Sequence, residues 1–475
     1  MREEPYDLVV IGAGSGGLTA AGFAAQIGAR VALVERDRVG GDCTWSGCVP
    51  SKALLKVAKV AHEARWGRQY GVLSDATRVD IAQVRTYIRR AIAEIYAHET
   101  PEQLARKGVE VVLGAAHFLD AHTIRAGEQT LRARHVLITT GAHPRNPAIP
   151  GLDTVPYLTH TKIFEHDRLP GQLAIIGAGP VGVELAQAYR RLGAEVALIG
   201  PRLLPREDAE VAQVISSVFA DEGVCLVADR ARAARALDDG RIVVTTGGGE
   251  VVCDTLLVAA GRAPNVAGLD LERAGVTYSA RGIAVDAHMR TSVPHIYAAG
   301  DVVGGPQYTH LAAWQAFYAT RNALVPGGSA ARDDIIPRVT FTDPEVAHVG
   351  LTEAEARARH GDGVVVTRMD LERFDRAVCE NDLHGFLKVM HRRGGAILGA
   401  TMVAARAGEA ITEFALAIRH GLPLSALTDA LHPYPTYTTG VMQLAADATA
   451  DALLSNPAGR LALRAARWLN DHSGI

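Results

Sequence analysis

Cysteine is scarce in this chain, with five among 475 residues. So few exclude a disulfide scaffold, and in a reducing compartment a close pair is catalytic, redox-sensing or metal-bound. Charge of one sign is lacking too: 49 Lys and Arg against 52 Asp and Glu leave a formal net charge of -3. With no basic field, and no Lys/Arg run interleaved with aromatics, nucleic acid is not an expected partner. No apolar run approaches the roughly 18 to 20 residues of a membrane span. "MREEPYDLVVIGAGSGG" enters a strand pattern at once, leaving no charged-then-apolar leader ahead of it. A cytoplasmic protein without a transmembrane segment is the expectation.

Glycine, by contrast, is plentiful. Forty-eight glycines in a chain that is 48% hydrophobic and 21% charged suit a glycine-punctuated α/β protein. The length predicts roughly three domains at about 150 residues each. "YDLVVIGAGSGGLTAAGFAAQIGARVALVE" runs from an apolar strand through Gly12, Gly14 and Gly17 into an alanine-rich helix, then into a second strand ending at Glu35. This is a β-α-β unit. "GQLAIIGAGPVGVELAQAYRRLGAEVALIG" repeats it with Gly177, Gly179 and Gly182. From Pro337 onward short strands alternate with helices, an α+β style.

Glycines at these spacings let backbone approach a pyrophosphate, whose charge meets the free N–H groups of the following helix. Glu35 stands where a carboxylate accepts hydrogen bonds from a ribose 2′-OH. In the second unit the equivalent position is Gly200, followed by Arg202 and Arg206. No carboxylate is there to repel a 2′-phosphate, and two guanidiniums can bind one, which favours NADPH over NADH unless both arginines are only a solvated surface pair.

The stretch "GGDCTWSGCVPSKALLK" carries Cys43 and Cys48. As a staple, so short a loop restricts the unfolded chain by only about 2 kcal/mol. A zinc site needs four ligands, and Cys225, Cys253 and Cys379 are scattered singly, so no metal site is expected. The redox alternative uses the neighbours: Ser46 and Gly47 permit the bend, Pro50 suits a first helical turn, and that helix end together with Lys52 lowers the pKa of a nearby thiol. Two dinucleotide folds and a dithiol suggest a relay in which a nicotinamide delivers hydride, a flavin accepts it, and two electrons pass to a disulfide.

On these motifs the chain resembles the flavoprotein disulfide reductases, the family of dihydrolipoamide dehydrogenase, glutathione reductase and mercuric reductase. "GGDCTWSGCVPSK" is similar to the family's Cys-x4-Cys segment, and "TTGAHP", "AAGRAPN", "YAAGD" and "TFTDPEVAHVGLTEAEA" follow in family order. The resemblance implies two Rossmann-like domains and an α+β dimerisation domain, divided as 1–145 and 268–335 for FAD, 146–267 for NAD(P) and 336–475 for the interface. It implies Cys48 as the charge-transfer thiol, Cys43 as the interchange thiol, Lys52 near flavin N5 paired with Glu184, and Asp301 near the ribityl chain. Gly41, Asp42, Thr140, Gly141, Gly261, Arg262 and Gly300 belong with the cofactor contacts. A homodimer is implied, each subunit completing the other's site.

One segment departs from the family. Disulfide reductases place a His before Pro-Thr and a Glu five residues after it; in "LHPYPTYTTG" those positions hold Tyr434 and Thr439, with His432 two residues upstream as a substitute base or a plain loop residue. Tyrosine there is similar to mercuric reductases, although the C-terminal cysteine pair of that family is missing. The acceptor expected is therefore a small disulfide or a metal ion. The alternatives are an NAD(P)H oxidase or quinone reductase with ancillary thiols, and a redox-sensing flavoprotein subunit. Trp45, between the cysteines, either narrows a channel or fills core space. The C-terminal "GRLALRAARWLND" reads as an amphipathic helix for a membrane surface or, more plainly, for dimer packing.

Overall fold

The computed structural model describes residues 4–73, 77–455 and 457–472. It divides into two compact units, residues 1–203 with 222–333 and residues 204–221 with 334–475.

In the first unit, "YDLVVI" forms the strand Tyr6–Ile11, which pairs in parallel with Val31–Glu35 on one side and Gln129–Ile138 on the other. A strand buried on both faces needs a continuous apolar run rather than alternation, which is what the sequence supplies. Val109–Leu113 extends the sheet beyond Val31–Glu35, and an antiparallel meander, Ala116–Asp120 and Thr123–Ala126, joins it through Gln129–Ile138. Ile296–Ala298 returns from far along the chain to pair in parallel with the same strand. The helix Ser15–Gln26 buries Ala20, Ala21 and Ala24 in one core with Ala316 and Ala319 of the helix Thr309–Leu324. Alanine on both faces lets the two backbones come close, which brings both helix N-termini to one side of the sheet.

The second β-α-β unit repeats this plan. Gln172–Ile176, Glu195–Ile199, Cys225–Val227 and Thr255–Val258 make a four-stranded parallel sheet, and Ala233–Ala236, Ile242–Thr246 and Gly249–Cys253 an antiparallel meander.

The second unit is built on a five-stranded antiparallel sheet ordered Arg338–Thr340, Glu345–Gly350, Ile397–Ala404, Phe386–Arg392, Val364–Asp370. The helix Ala407–His420 sends Ala410, Ile411, Phe414 and Ala417 into its core alongside Phe374, Met402 and Leu444. Residues 204–221, which follow the second β-α-β unit in sequence, group here. Here Glu207 accepts from Arg338 at 2.7 Å, and Asp208 from the buried Lys388 at 2.6 Å. Among the described residues, no helix is long and apolar enough to cross a membrane.

Candidate active site

The two cysteines sit at a helix junction. A short helix, Gly41–Trp45, carries Cys43, and a long one, Cys48–Trp66, starts at Cys48. Gly47 caps the long helix with no side-chain hydrogen bond, and a Cβ on it would lie 2.8 Å from the Asp42 carbonyl oxygen, so only glycine fits the bend. Pro50 falls in the first turn, where its missing N–H is not needed.

The loop is anchored at each residue around Cys43. Buried Thr44 donates its hydroxyl to Glu99 at 3.0 Å. Trp45 donates Nε1–H to the Val39 carbonyl at 2.7 Å, packs against Tyr96 with ring centroids 4.9 Å apart and planes tilted by 57°, and carries the Arg38 guanidinium 4.3 Å above its ring. Asp42 is bound by Arg262, which also donates to the Ala142 carbonyl at 3.0 Å and comes within 3.5 Å of Asp301. His160 Nε2 lies 3.8 Å from the same Asp42 oxygen. Burial pushes Asp42 upward, but His160 and the Arg262 charge outweigh it and hold the carboxyl at about 2. Burial raises Asp301, with Arg262 opposing.

The thiols differ sharply. A hydrogen bond from Cys43 lowers Cys48 to about 6; burial opposes it, and the Thr309 hydroxyl and the Lys52 charge reinforce it. Cys43 is pushed up, because its proton is held against Cys48 and its sulfur is buried. The pair titrates as a unit in which Cys48 bears the negative charge. Thr309 Oγ1 is 3.1 Å from Cys48 Sγ, at the start of a 16-residue helix whose N-terminal end favours an anion. Lys52 pairs with Glu184 at 2.9 Å, the carboxylate side chain being 8% exposed.

Two cradles flank this centre. Gly14 caps the helix Ser15–Gln26 and Gly179 the helix Pro180–Leu192, neither with a side-chain cap. A Cβ on Gly12 would press to 2.6 Å from the Thr139 carbonyl oxygen, and on Gly17 to 1.8 Å from that of Gly12, so both serve close backbone packing. Gly177 and Gly182 repeat this against Ala259 and Gly177. At Gly14 a Cβ would meet only the Gly41 Cα at 3.9 Å, and at Gly179 nothing within 4 Å. The chain therefore leaves both helix ends bare, as a dinucleotide pyrophosphate requires. Glu35 accepts from the Ala13 and Asp37 amides at 2.8 and 2.9 Å, which fixes its carboxylate beside the first cradle with acceptor capacity to spare. Gly141 and Gly261, both at positive φ with open space around them, and Thr140, bonded to the Asn265 carbonyl at 2.8 Å, line the adjoining strand ends. Gly300 donates its amide to Gln315 at 2.9 Å next to Asp301. The residues present thus fit FAD at the first cradle and a pyridine nucleotide at the second.

At Gly200 a Cβ would lie 2.6 Å from that of Ala178, so packing itself keeps any carboxylate from this position. Arg202 follows in the same loop, whereas Arg206 belongs to the second unit. In that unit Tyr434 is exposed and donates to Asp375 at 2.8 Å. His432 has both ring nitrogens on acceptors, Nδ1 with the Ala430 carbonyl and Nε2 with Glu413, each at 2.9 Å. Both nitrogens are thus occupied by partners within the chain.

The comparisons agree with this geometry. The family model described as pyridine nucleotide-disulphide oxidoreductase matches residues 6–316, and that of its dimerisation domain residues 336–445. A mercuric reductase of Streptomyces lividans is 36% identical over 468 residues, 96% of this chain and 98% of that protein. One from Shigella flexneri is 38% identical over 91% of this chain and 79% of its own length. The HOCl-induced flavoprotein disulfide reductase RclA of Escherichia coli superposes with a TM-score of 0.84 at 28% identity, covering 93% of this chain and 99% of its own. Matched along most of its length and carrying a dithiol between two bare nucleotide cradles, the chain belongs to the pyridine nucleotide-disulphide oxidoreductases, enzymes with a flavin and a pyridine nucleotide as cofactors.

Proposed function

We propose that this enzyme takes electrons from NADPH and delivers them through Cys43–Cys48 to a soft metal cation, with a small disulfide as the lesser acceptor. The FAD, when bound, supplies the two-electron connection between the nicotinamide and the cysteine pair. The chain's own residues set the rest. Cys48, ionised by Cys43, Thr309 and Lys52, is the thiolate next to the flavin, and Cys43 faces the acceptor.

The observation that carries the choice of acceptor is that the two side chains the sequence offers as a base, His432 and Tyr434, are each held by other partners. The Cys43 thiol is pushed up, His432 is tied by both nitrogens, and the Tyr434 hydroxyl is given to Asp375. Exchange with a disulfide needs Cys43 deprotonated before attack. A soft cation displaces the thiol proton itself on binding, so it depends less on a base. The curated relatives named above are mercuric reductases, and a solved Cu(II) complex of RclA is among the similar structures, 28% identical with a TM-score of 0.82. NADPH is preferred because Gly200 excludes the carboxylate that would select NADH and Arg202 follows it.

The test is anaerobic NADPH reduction of the flavin-loaded dimer with thiol counting, followed by turnover with mercuric ion, cupric ion, disulfides and quinones. Two new thiols and metal-ion turnover that collapses in Cys43→Ser are expected. Full turnover in Cys43→Ser would sink the proposal and favour direct reduction of acceptor by flavin.

A further inference from the structure

The helix Pro457–His472 lies outside everything assigned so far. The matched dimerisation domain ends at residue 445, before this helix begins. Nearly all of it is open to solvent, with Leu461, Trp468 and Leu469 exposed by 68, 60 and 59%. Its inward side is defined by Gly459, where a Cβ would lie 2.3 Å from the Leu453 carbonyl oxygen of the preceding helix, and by half-buried Leu463. Three- and four-residue spacing puts Arg460, Arg464 and Arg467 on one ridge and Leu461, Ala465, Trp468 and Leu469 on the next. Both ridges face away from the inward side. Asp471, at the end of the arginine ridge, offsets one of its charges.

We infer that this helix docks the enzyme on an anionic phospholipid surface. Sixteen residues make a rod roughly 24 Å long. With guanidiniums along one flank it cannot span a bilayer, but it can lie flat, apolar side among the acyl chains and arginines at the headgroups. Trp468 sits at the boundary between the two ridges, the level that an amphipathic aromatic ring prefers. Charge decides against a second copy as the occupant. Pairing this helix with its own twofold mate would set arginine ridge beside arginine ridge, whereas anionic headgroups neutralise both.

The test uses the flavin-loaded full chain, sedimented with vesicles of phosphatidylcholine alone or mixed with phosphatidylglycerol. Partition onto the mixed vesicles only, weakened by salt, is expected. Replacing Arg460, Arg464 and Arg467 together by Gln should lower that partition on the order of a hundredfold. Leu461→Ser combined with Trp468→Ser should abolish it. Both variants should keep the flavin content and acceptor turnover of the parent, since the dithiol and the cradles are built from other segments of the chain. No partition, or equal partition of the arginine variant, would overturn the inference. So would a fall from dimer to monomer in light scattering of the Leu461/Trp468 variant, which would put a second copy on this face.

Discussion

The Thr309 hydroxyl lies 3.1 Å from the Cys48 sulfur, across 261 positions of sequence. It is a neutral hydrogen-bond partner of that sulfur from a distant helix, and it comes with that helix's N-terminus behind it. A thiol held down to about 6 is a thiolate at pH 7 and gains its proton as the pH falls through that value. Its contribution to stability is full above the free-thiol range of roughly 8.5 and fades as the pH falls to about 6. Thr309→Val should move the midpoint of Cys48 alkylation upward in the reduced protein, measured as rate against pH. An unmoved midpoint would mean that Cys43 and Lys52 suffice.

Lys52 and Glu184 give a second, separable effect. Removing the ammonium in Lys52→Met takes away the ion pair of the Glu184 carboxylate, 8% exposed. The lysine is 39% exposed, so solvent screening limits the loss of stability to about 1 to 2 kcal/mol, read by urea unfolding. The same variant should raise the Cys48 alkylation midpoint. Glu184→Gln, which keeps Lys52 charged, should leave that midpoint lowered.

Much of this was legible in the chain before any coordinates. Gly12, Gly14 and Gly17, and their counterparts Gly177, Gly179 and Gly182, announce their role by spacing, because a tight turn and a bare helix end are local demands. The Cys43–Cys48 pair is legible for the same reason. Thr309 and His160 are not, and neither is the contact of Arg262 with Asp42, because these reach the dithiol loop through tertiary folding; the Arg262–Asp42 contact closes 220 residues of chain. Nothing about "LHPYPTYTTG" reveals that His432 is already paired, since Glu413 comes from the helix Ala407–His420. The grouping of 204–221 with the C-terminal unit is hidden likewise, since its ion pairs to Arg338 and Lys388 span more than 100 residues.

Trp45 tests whether the loop's anchors serve chemistry or only packing. By tying Cys43 to Val39, Tyr96 and Arg38, it keeps the two sulfurs within reach after reduction, which favours the closed disulfide. Trp45→Ala should shift the dithiol–disulfide equilibrium toward the open dithiol by about tenfold, or roughly 30 mV, in a thiol redox buffer. Trp45→Phe, which keeps the ring and loses only the Nε1–H bond, should shift it less. Equal potentials in all three proteins would leave Trp45 a packing residue.

The nucleotide preference has its own handle at Gly200. A methyl group there would press within 2.6 Å of the Ala178 Cβ and displace the second cradle without touching the first. Gly200→Ala should raise KM for NADPH while flavin content stays unchanged. Arg202→Ala should narrow the ratio of kcat/KM for NADPH over NADH. A parent enzyme that uses NADH at least as efficiently would overturn the preference outright.

His432 supplies the sharpest division between acceptor classes. Its side chain is 7% exposed and its Nε2 faces Glu413 at 2.9 Å, so His432→Ala strands a partly buried carboxylate and should cost about 2 to 3 kcal/mol of stability in urea unfolding. If the ring is a structural partner, as both occupied nitrogens indicate, kcat with a metal-ion acceptor should stay within about twofold of the parent, less than 0.5 kcal/mol in barrier. Glu413→Gln, which keeps a hydrogen-bond acceptor for the ring, should recover most of the stability and change turnover no further. A loss of disulfide turnover by a hundredfold or more in His432→Ala, with the fold intact by circular dichroism, would instead make His432 the proton acceptor for Cys43 and return small disulfides to first place among the acceptors.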